Sequence, residues 1–197
     1  MTHQGVIIQP SQTFQVIWIA WVASWIAASF WSGRTAKRAT TCEIWIYRTT
    51  IFVGALLIAP WTAQVLGESR IWQIGDYGAY ALVGVMLVGL ALTWWARIQL
   101  GHLWSSAITR KEEHRLVEAG PYALVRHPIY TGIITALLAT AATEATLVAL
   151  LGAVLIAVGL WVKARAEERF LLAELGPDAY ESYRRRVPML VPFVPHR

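Results

Sequence analysis

Two short stretches of this 197-residue chain carry most of the side chains able to do chemistry. The first is His114-Arg-Leu-Val-Glu-Ala-Gly-Pro-Tyr-Ala-Leu-Val-Arg-His-Pro-Ile-Tyr130, and the second runs from Lys163 to Tyr183 through Glu167, Glu168 and Arg169. In the first, Gly120-Pro121 marks a turn, and Pro128 suits the first turn of a helix, where its missing N–H is no loss. Arg126 and His127 then stand at a helix mouth, whose free N–H groups favour an anionic group. A plain structural reading covers the same residues. Arg126 and His127 would be interfacial anchors, Tyr122 and Tyr130 a polar girdle, and Glu167 and Glu168 a solvated helix face paired with Lys163 and Arg169. Pattern alone leaves both readings open and does not name a reaction.

The elements that must position these residues belong to a membrane. Hydrophobic residues make up 56% of the chain and charged residues 15%, against roughly 25% charged in a soluble domain. Eleven tryptophans fit a chain with many positions where hydrocarbon meets headgroups. A first apolar run, Phe14 to Trp31, is long enough to span at about 1.5 Å per residue. The basic cluster Arg34, Lys37 and Arg38 follows it rather than preceding it, which disfavours a cleaved signal peptide. A second run covers Ile44 to Leu66, with Arg48 able to snorkel and Pro60 near its end. A third covers Tyr77 to Trp95, where Gly84 and Gly89 would permit close helix packing. The apolar stretch from Ile129 to Val162 is too long for one span and reads as two antiparallel helices with a turn at Thr143 and Glu144. From Lys163 the last helix leaves the membrane and stops at Gly176-Pro177; a short helix covers Asp178 to Arg186, and Pro188, Pro192 and Pro195 force an extended tail.

The expected fold is therefore all-α, a polytopic bundle of about five transmembrane helices with a cytoplasmic helical region at its C-terminal end. Residues 1–96 would hold the first three spans, and residues 97–197 the site, including the hairpin 129–163. Lys and Arg concentrate after the first span, after the third (Arg97, Arg110, Lys111, Arg115) and in the tail (Lys163, Arg165, Arg169, Arg184 to Arg186). That bias sets the N-terminus outside and these segments in the cytoplasm, in a cell membrane of prokaryotic type. The net charge of +5 comes in short groups without interleaved stacking aromatics, so nucleic acid is not an expected partner. Cys42 has no cysteine to pair with, and no ligand spacing suggests a metal.

The strings Gly120-Pro-Tyr-Ala-Leu-Val-Arg-His-Pro-Ile-Tyr-Thr-Gly132 and Glu167-Glu-Arg-Phe-Leu-Leu-Ala-Glu-Leu-Gly-Pro-Asp-Ala-Tyr-Glu-Ser-Tyr183 resemble the signature of the isoprenylcysteine carboxyl methyltransferase family. That signature is an R-H-P-x-Y-x-G block, then E-E and G-x-x-Y-x-x-Y ahead of a basic segment and a proline. Ala96-Arg-Ile-Gln-Leu-Gly-His-Leu-Trp-Ser105 is similar to the lead-in of the same family, so the likeness runs over about residues 96 to 192.

The resemblance implies a multi-span helical enzyme that binds S-adenosylmethionine in its C-terminal half, near the cytoplasmic face, and releases S-adenosylhomocysteine. It implies that His114, Arg115, Leu116, Val117, Tyr122, His127, Pro128, Ile129 and Tyr130 line the cofactor site, with Glu167 at the cofactor's polar end and Arg126 holding its block in shape. It further implies a direct displacement that needs no metal and no covalent enzyme intermediate. Lys163, Arg126 and Glu168 are the residues expected to serve the transfer itself. Lys163 stands where an arginine is usual in the family and would supply a point cation for an acceptor carboxylate. Arg165 lies about 200° further around the helix and does not substitute for it.

The expected partners are membrane lipid and a lipophilic small molecule or prenylated compound. Alternative readings are N-methylation of a phospholipid headgroup amine, for which Glu168 is the nearest base, and an NADPH-dependent sterol-type reductase. A transporter would show a half-and-half repeat, and none is visible.

Overall fold

The computed structural model describes residues 10–30, 35–38, 42–104, 109–111, 116–175 and 177–194; expectations for Trp31, Arg34, Ser105, His114, Arg115, Gly176 and Pro195 fall outside them. In chain order come α1 (Pro10–Ser29), β1 (Thr35–Arg38), α2 (Cys42–Ile58), α3 (Pro60–Val65), α4 (Asp76–Leu100), β2 (Thr109–Lys111), α5 (Pro128–Glu144), α6 (Leu147–Leu175) and α7 (Pro177–Arg186). Short 3-10 turns occupy Gly101–Leu103 and Gly120–Ala123. The described chain is thus helical apart from one two-stranded antiparallel ribbon, which the sequence did not announce.

Most boundaries follow local chemistry. The second apolar run breaks in two because Ala59, ahead of Pro60, takes an extended conformation (φ −62°, ψ 135°), and Pro60 restarts the chain as the first residue of α3. Helix α4 runs past Trp95 to Leu100, where Gly101 (φ 54°) ends it. The long apolar stretch does fold into two helices, turned at Ala145 (φ 55°), whose N–H bonds back to Ala141. Helix α6 stops at Leu175 and α7 begins at Pro177.

Two described stretches, Asp76–Leu103 and Leu147–Ala173, are long and apolar enough to cross a membrane. The bundle's interior combines large side chains such as Phe14, Met86 and Leu90 with many small ones. Ala136, Ala139, Ala141, Ala149 and Ala153 are buried, while Ile19, Ile26, Trp45, Phe52, Val88 and Leu138 are exposed. This distribution suits a surface wetted by lipid, where close backbone contact between helices replaces the hydrophobic effect. Helix α4 meets α5 at Gly89 and Gly132, where a Cβ on either would collide with the other's carbonyl oxygen. Helix α2 meets α6 in the same way at Gly54 and Gly152, each Cβ position 2.7 Å from the partner's oxygen. Gly84, expected to allow close packing, has nothing within 4 Å of its Cβ position and serves no contact.

Three further corrections concern residues assigned to water or to the interface. Arg97, expected in a basic connection, is completely buried. It donates to the carbonyls of Ala28 (2.8 Å) and Gly101 (2.7 Å) and lies 4.3 Å from the centre of the Trp104 ring, so it ties the end of α1 to the end of α4. Trp18 and Trp21 donate to Thr140 and Thr93 at 3.0 and 2.9 Å, which makes them seams between α1 and helices α5 and α4. Glu168 is buried rather than part of a solvated face.

The ribbon pairs Lys37 with Arg110 and Thr35 with Lys111, bringing the connections after α1 and α4 to one end of the bundle. At the other end the segment before α4 caps the α5–α6 turn. Ile71 donates to Ala145 at 2.7 Å, Trp72 donates to Ala142 at 3.0 Å, and Glu68 accepts from the Val148 amide at 3.1 Å.

The glycine contacts yield a stability prediction. Gly132→Ala should destabilise the detergent-solubilised protein by about 1–3 kcal/mol because backbone must move, whereas Gly84→Ala should stay within about 0.5 kcal/mol. Thermal unfolding of both variants checks the contrast.

Candidate active site

The site forms where the mouth of α5 meets the end of α6 that leaves the apolar region. Gly120 (φ 63°) opens the turn, Pro121 and Val125 are buried under it, and His127 caps α5 ahead of Pro128. The chain after α7 then crosses this mouth as a strap. The Arg126 amide donates to Pro188 at 2.8 Å, the His127 amide to Met189 at 3.1 Å, and the Thr131 hydroxyl to Leu190 at 2.6 Å. The amides of Arg126 and His127 are therefore taken by the chain itself.

Arg126 and Glu168 form the buried anchor. Arg126 Nε donates to Glu168 Oε1 at 2.7 Å, and its Nη1 donates to the carbonyls of Arg184 (2.9 Å) and Val187 (2.5 Å). His127 Nε2 lies 3.2 Å from the same carboxylate oxygen. A carboxylate already ion-paired to a guanidinium can only accept, so the Nε2 proton points to Glu168 and Nδ1 is turned toward Glu167. That Nδ1 stands 3.6 Å from Glu167 Oε2.

Glu167 is the less enclosed of the two acids, with 20% of its side chain exposed against 6% for Glu168. The Tyr130 hydroxyl donates to its Oε1 at 2.7 Å, and Lys163 Nζ stands 3.8 Å from the same oxygen. The His127 and Tyr130 rings are stacked, with centroids 5.4 Å apart and planes within 3° of parallel. Tyr122 lies buried beside this group, its backbone oxygen accepting from the Tyr183 hydroxyl at 2.7 Å. Burial, reinforced by the Glu167 charge, pushes the Tyr122 hydroxyl well above the ordinary phenol range, so it remains a protonated donor.

Arg126, His127, Tyr130, Lys163, Glu167 and Glu168, expected from two stretches far apart in sequence, thus converge in one group. Pro128 is buried and Ile129 half-buried in the first turn of α5. Leu116 packs under Tyr180, Tyr183 and Val187, and Val117 is half-buried beside it in sequence. His114 and Arg115 lie outside the described residues. Arg165 is turned away, its guanidinium 5.2 Å from the Trp161 ring centre. Sequence reasoning missed Tyr47 of α2, which is buried with its ring centre 5.8 Å from Lys163 Nζ. Its only signal was a tyrosine inside an apolar run. The strap was missed too, because carbonyl groups carry no sequence mark.

Residues 82–173 match the isoprenylcysteine carboxyl methyltransferase (ICMT) family. The chain is similar to a protein-S-isoprenylcysteine O-methyltransferase of Schizosaccharomyces pombe, 34% identical over 119 residues, which is 57% of this chain and 49% of that protein. It is similar to protein-S-isoprenylcysteine O-methyltransferase B of Arabidopsis thaliana, 27% identical over 168 residues, or 81% of each chain. It is also similar to methanethiol S-methyltransferase 2 of Bradyrhizobium diazoefficiens, 34% identical over 148 residues, or 70% of this chain and 55% of that protein. The chain spans about half the length of the yeast and Bradyrhizobium relatives. The matched segment contains Arg126, His127, Tyr130, Lys163, Glu167 and Glu168, so the residues that converge in this site lie in the part of the chain that is similar to the isoprenylcysteine carboxyl methyltransferase family.

Proposed function

We propose that this chain is an integral membrane methyltransferase that moves a methyl group from S-adenosylmethionine to a lipophilic acceptor, with a carboxylate such as that of a prenylcysteine-like compound favoured. The observation that carries this is the Glu167 carboxylate, flanked by His127 Nδ1 at 3.6 Å, the Tyr130 hydroxyl at 2.7 Å and Lys163 Nζ at 3.8 Å.

The donor set fits the cofactor. A sulfonium and an ammonium call for a carboxylate that solvent can reach, which suits Glu167, and an adenine calls for ring faces such as those of His127 and Tyr130. When bound, S-adenosylmethionine supplies a methyl carbon open to displacement by a lone pair on the acceptor. What the chain contributes is position and exclusion of water. Tyr130 orients Glu167, and Lys163 offers a cation toward which an anionic acceptor aligns. Arg126 and Glu168 act by holding His127 and the strap in place. Tyr122, Leu116, Val117, Pro128 and Ile129 complete the apolar wall, with His114 and Arg115 following them in the same assignment.

The proposal includes five membrane spans, α1, α2, α4, α5 and α6, with the N-terminus outside and the site facing the cytoplasm of a prokaryotic-type cell. Support comes from the ribbon that joins the basic connections at one end, and from the opposite end, where Arg70 is the only Lys or Arg among the described residues of the α5–α6 turn and the segment before α4. Residues 97–197 would supply most of the site and residues 1–96 most of the surrounding bundle. A second acceptor, a thiolate, is favoured by the similarity to methanethiol S-methyltransferase 2. It meets the same demand, since Lys163 would face an anion in either case. An amine headgroup acceptor is served less well, because the cation at Lys163 opposes it.

Titration of the purified protein with S-adenosylhomocysteine tests the cofactor assignment. Saturable binding is expected, weakened about tenfold or more in Glu167→Gln by loss of a charged partner; absence of binding in the natural sequence refutes the assignment. For the acceptor, Lys163→Ala should lower methyl transfer to a prenylcysteine carboxylate by roughly tenfold to a hundredfold. Transfer to an aminolipid should change little in the same variant. An equal loss with both acceptors would remove the carboxylate preference.

A further inference from the structure

Lys163 stands in a cage with walls from three helices. Its Nζ is 5.3 Å from the centre of the Tyr130 ring on α5 and 5.8 Å from that of Tyr47 on α2, and 3.8 Å from Glu167 one turn along α6. Both ring distances fall within the roughly 6 Å over which an aromatic face attracts an ammonium. The side chain retains 12% exposure.

Helix α2 lies outside the segment, residues 82–173, that matches the family. Its approach is nonetheless dictated by α6. At Gly159, one turn before Lys163, an added Cβ would stand 2.7 Å from Ile51 Cγ1 and 3.2 Å from the Tyr47 carbonyl oxygen. Further along, Gly152 and Gly54 touch. These close approaches bring Tyr47 over the lysine, where Ala166, Ile44, Ile51, Val162 and Phe170 pack around it. Buried to 4% exposure, the ring has a fixed place rather than a choice of positions.

Glu167 divides the group in two. Its Oε2 faces His127, while its Oε1 faces Tyr130 and Lys163. A cationic cofactor group at this carboxylate competes with Lys163 for it, while the two rings go on facing the ammonium. We infer that Tyr47 is a positioning residue for the acceptor: with Tyr130 it holds the Lys163 ammonium at the point where the acceptor's anionic group docks. The inference rests on the methyltransferase function proposed above.

The test has two arms. In the first, lysines of the full-length protein in detergent are reductively methylated with carbon-13 formaldehyde, which keeps their charge, and the Lys163 resonance is identified by its absence in Lys163→Arg. Ring currents from the two faces should move that resonance upfield of the other lysines. Tyr47→Leu, or the longer and unbranched Tyr47→Met should the first variant not fold, should return it part of the way, since the Tyr130 face remains, while Tyr47→Phe should leave it shifted. In the second arm, Tyr47→Met should raise KM for a prenylcysteine by about tenfold, the scale of a partly desolvated cation–ring contact. It should leave S-adenosylhomocysteine affinity within about twofold, and Tyr47→Phe should restore KM.

An unshifted Lys163 resonance, or one insensitive to loss of the ring, overturns the inference whatever the activity. A matching loss of S-adenosylhomocysteine affinity also overturns it, because the role would then be general packing. Failure of the natural sequence to bind S-adenosylhomocysteine strikes the proposed function instead, and the resonance arm still decides whether Tyr47 cages the lysine.

Discussion

Glu168 accepts from Arg126 Nε at 2.7 Å in a setting where neither side chain has more than 7% exposure, and four parts of the chain meet at that pair. Arg126 ends the segment before α5, Glu168 belongs to α6, and the remaining guanidinium donor reads carbonyls at the end of α7 and the start of the strap. A buried ion pair adds little over a well-packed apolar contact, but stranding one member costs about 3–5 kcal/mol. The pair therefore acts less as a source of stability than as a condition on geometry. The α5 mouth, α6 and the tail must all be present for both charges to be satisfied. His127 shares the same carboxylate and inherits its place from that condition.

The bundle around this pair obeys a different constraint. Glycine and alanine line the closest helix contacts, so α4 with α5 and α2 with α6 touch nearly backbone to backbone, while many large apolar side chains face outward. In lipid the outward residues need no cover, and the gain comes from the close inner contact. Spacing set this way is rigid. It is also how a helix beyond the matched segment reaches Lys163, since Gly159 admits the backbone of α2 beside the turn that carries the lysine.

How much of this could be read from residues alone depended on the range of the cause. The turn between α5 and α6 and the start of α5 at Pro128 are local effects of proline, small polar residues and apolar length, and each was legible. The meeting of Glu167 with His127 was expected from resemblance and lies in the geometry at 3.6 Å. Arg97 misled because a charge at the end of an apolar run looks solvated, although carbonyls of two helices and an indole face accommodate it. Gly84 and Gly89 look alike in sequence, and only the direction each faces distinguishes them. The ribbon, the strap and Tyr47 all depend on partners far away in the chain and leave no local trace.

The strap is held by its main chain as well as by the packing of Val187, Met189 and Leu190. Four consecutive carbonyls, from Val187 to Leu190, are read by Arg126, His127 and Thr131. An oxygen of the peptide unit is the same whatever residue bears it, so these bonds ask nothing of side-chain identity; Met189 and Leu190 are held to apolar types by their packing against the core, and the positions beyond them are released. Val191 and Phe193 already project outward at 60% and 90% exposure. Evolution can thus redecorate the rim of the site without loosening its frame, a form of modularity in which diversification and structural integrity draw on separate atoms.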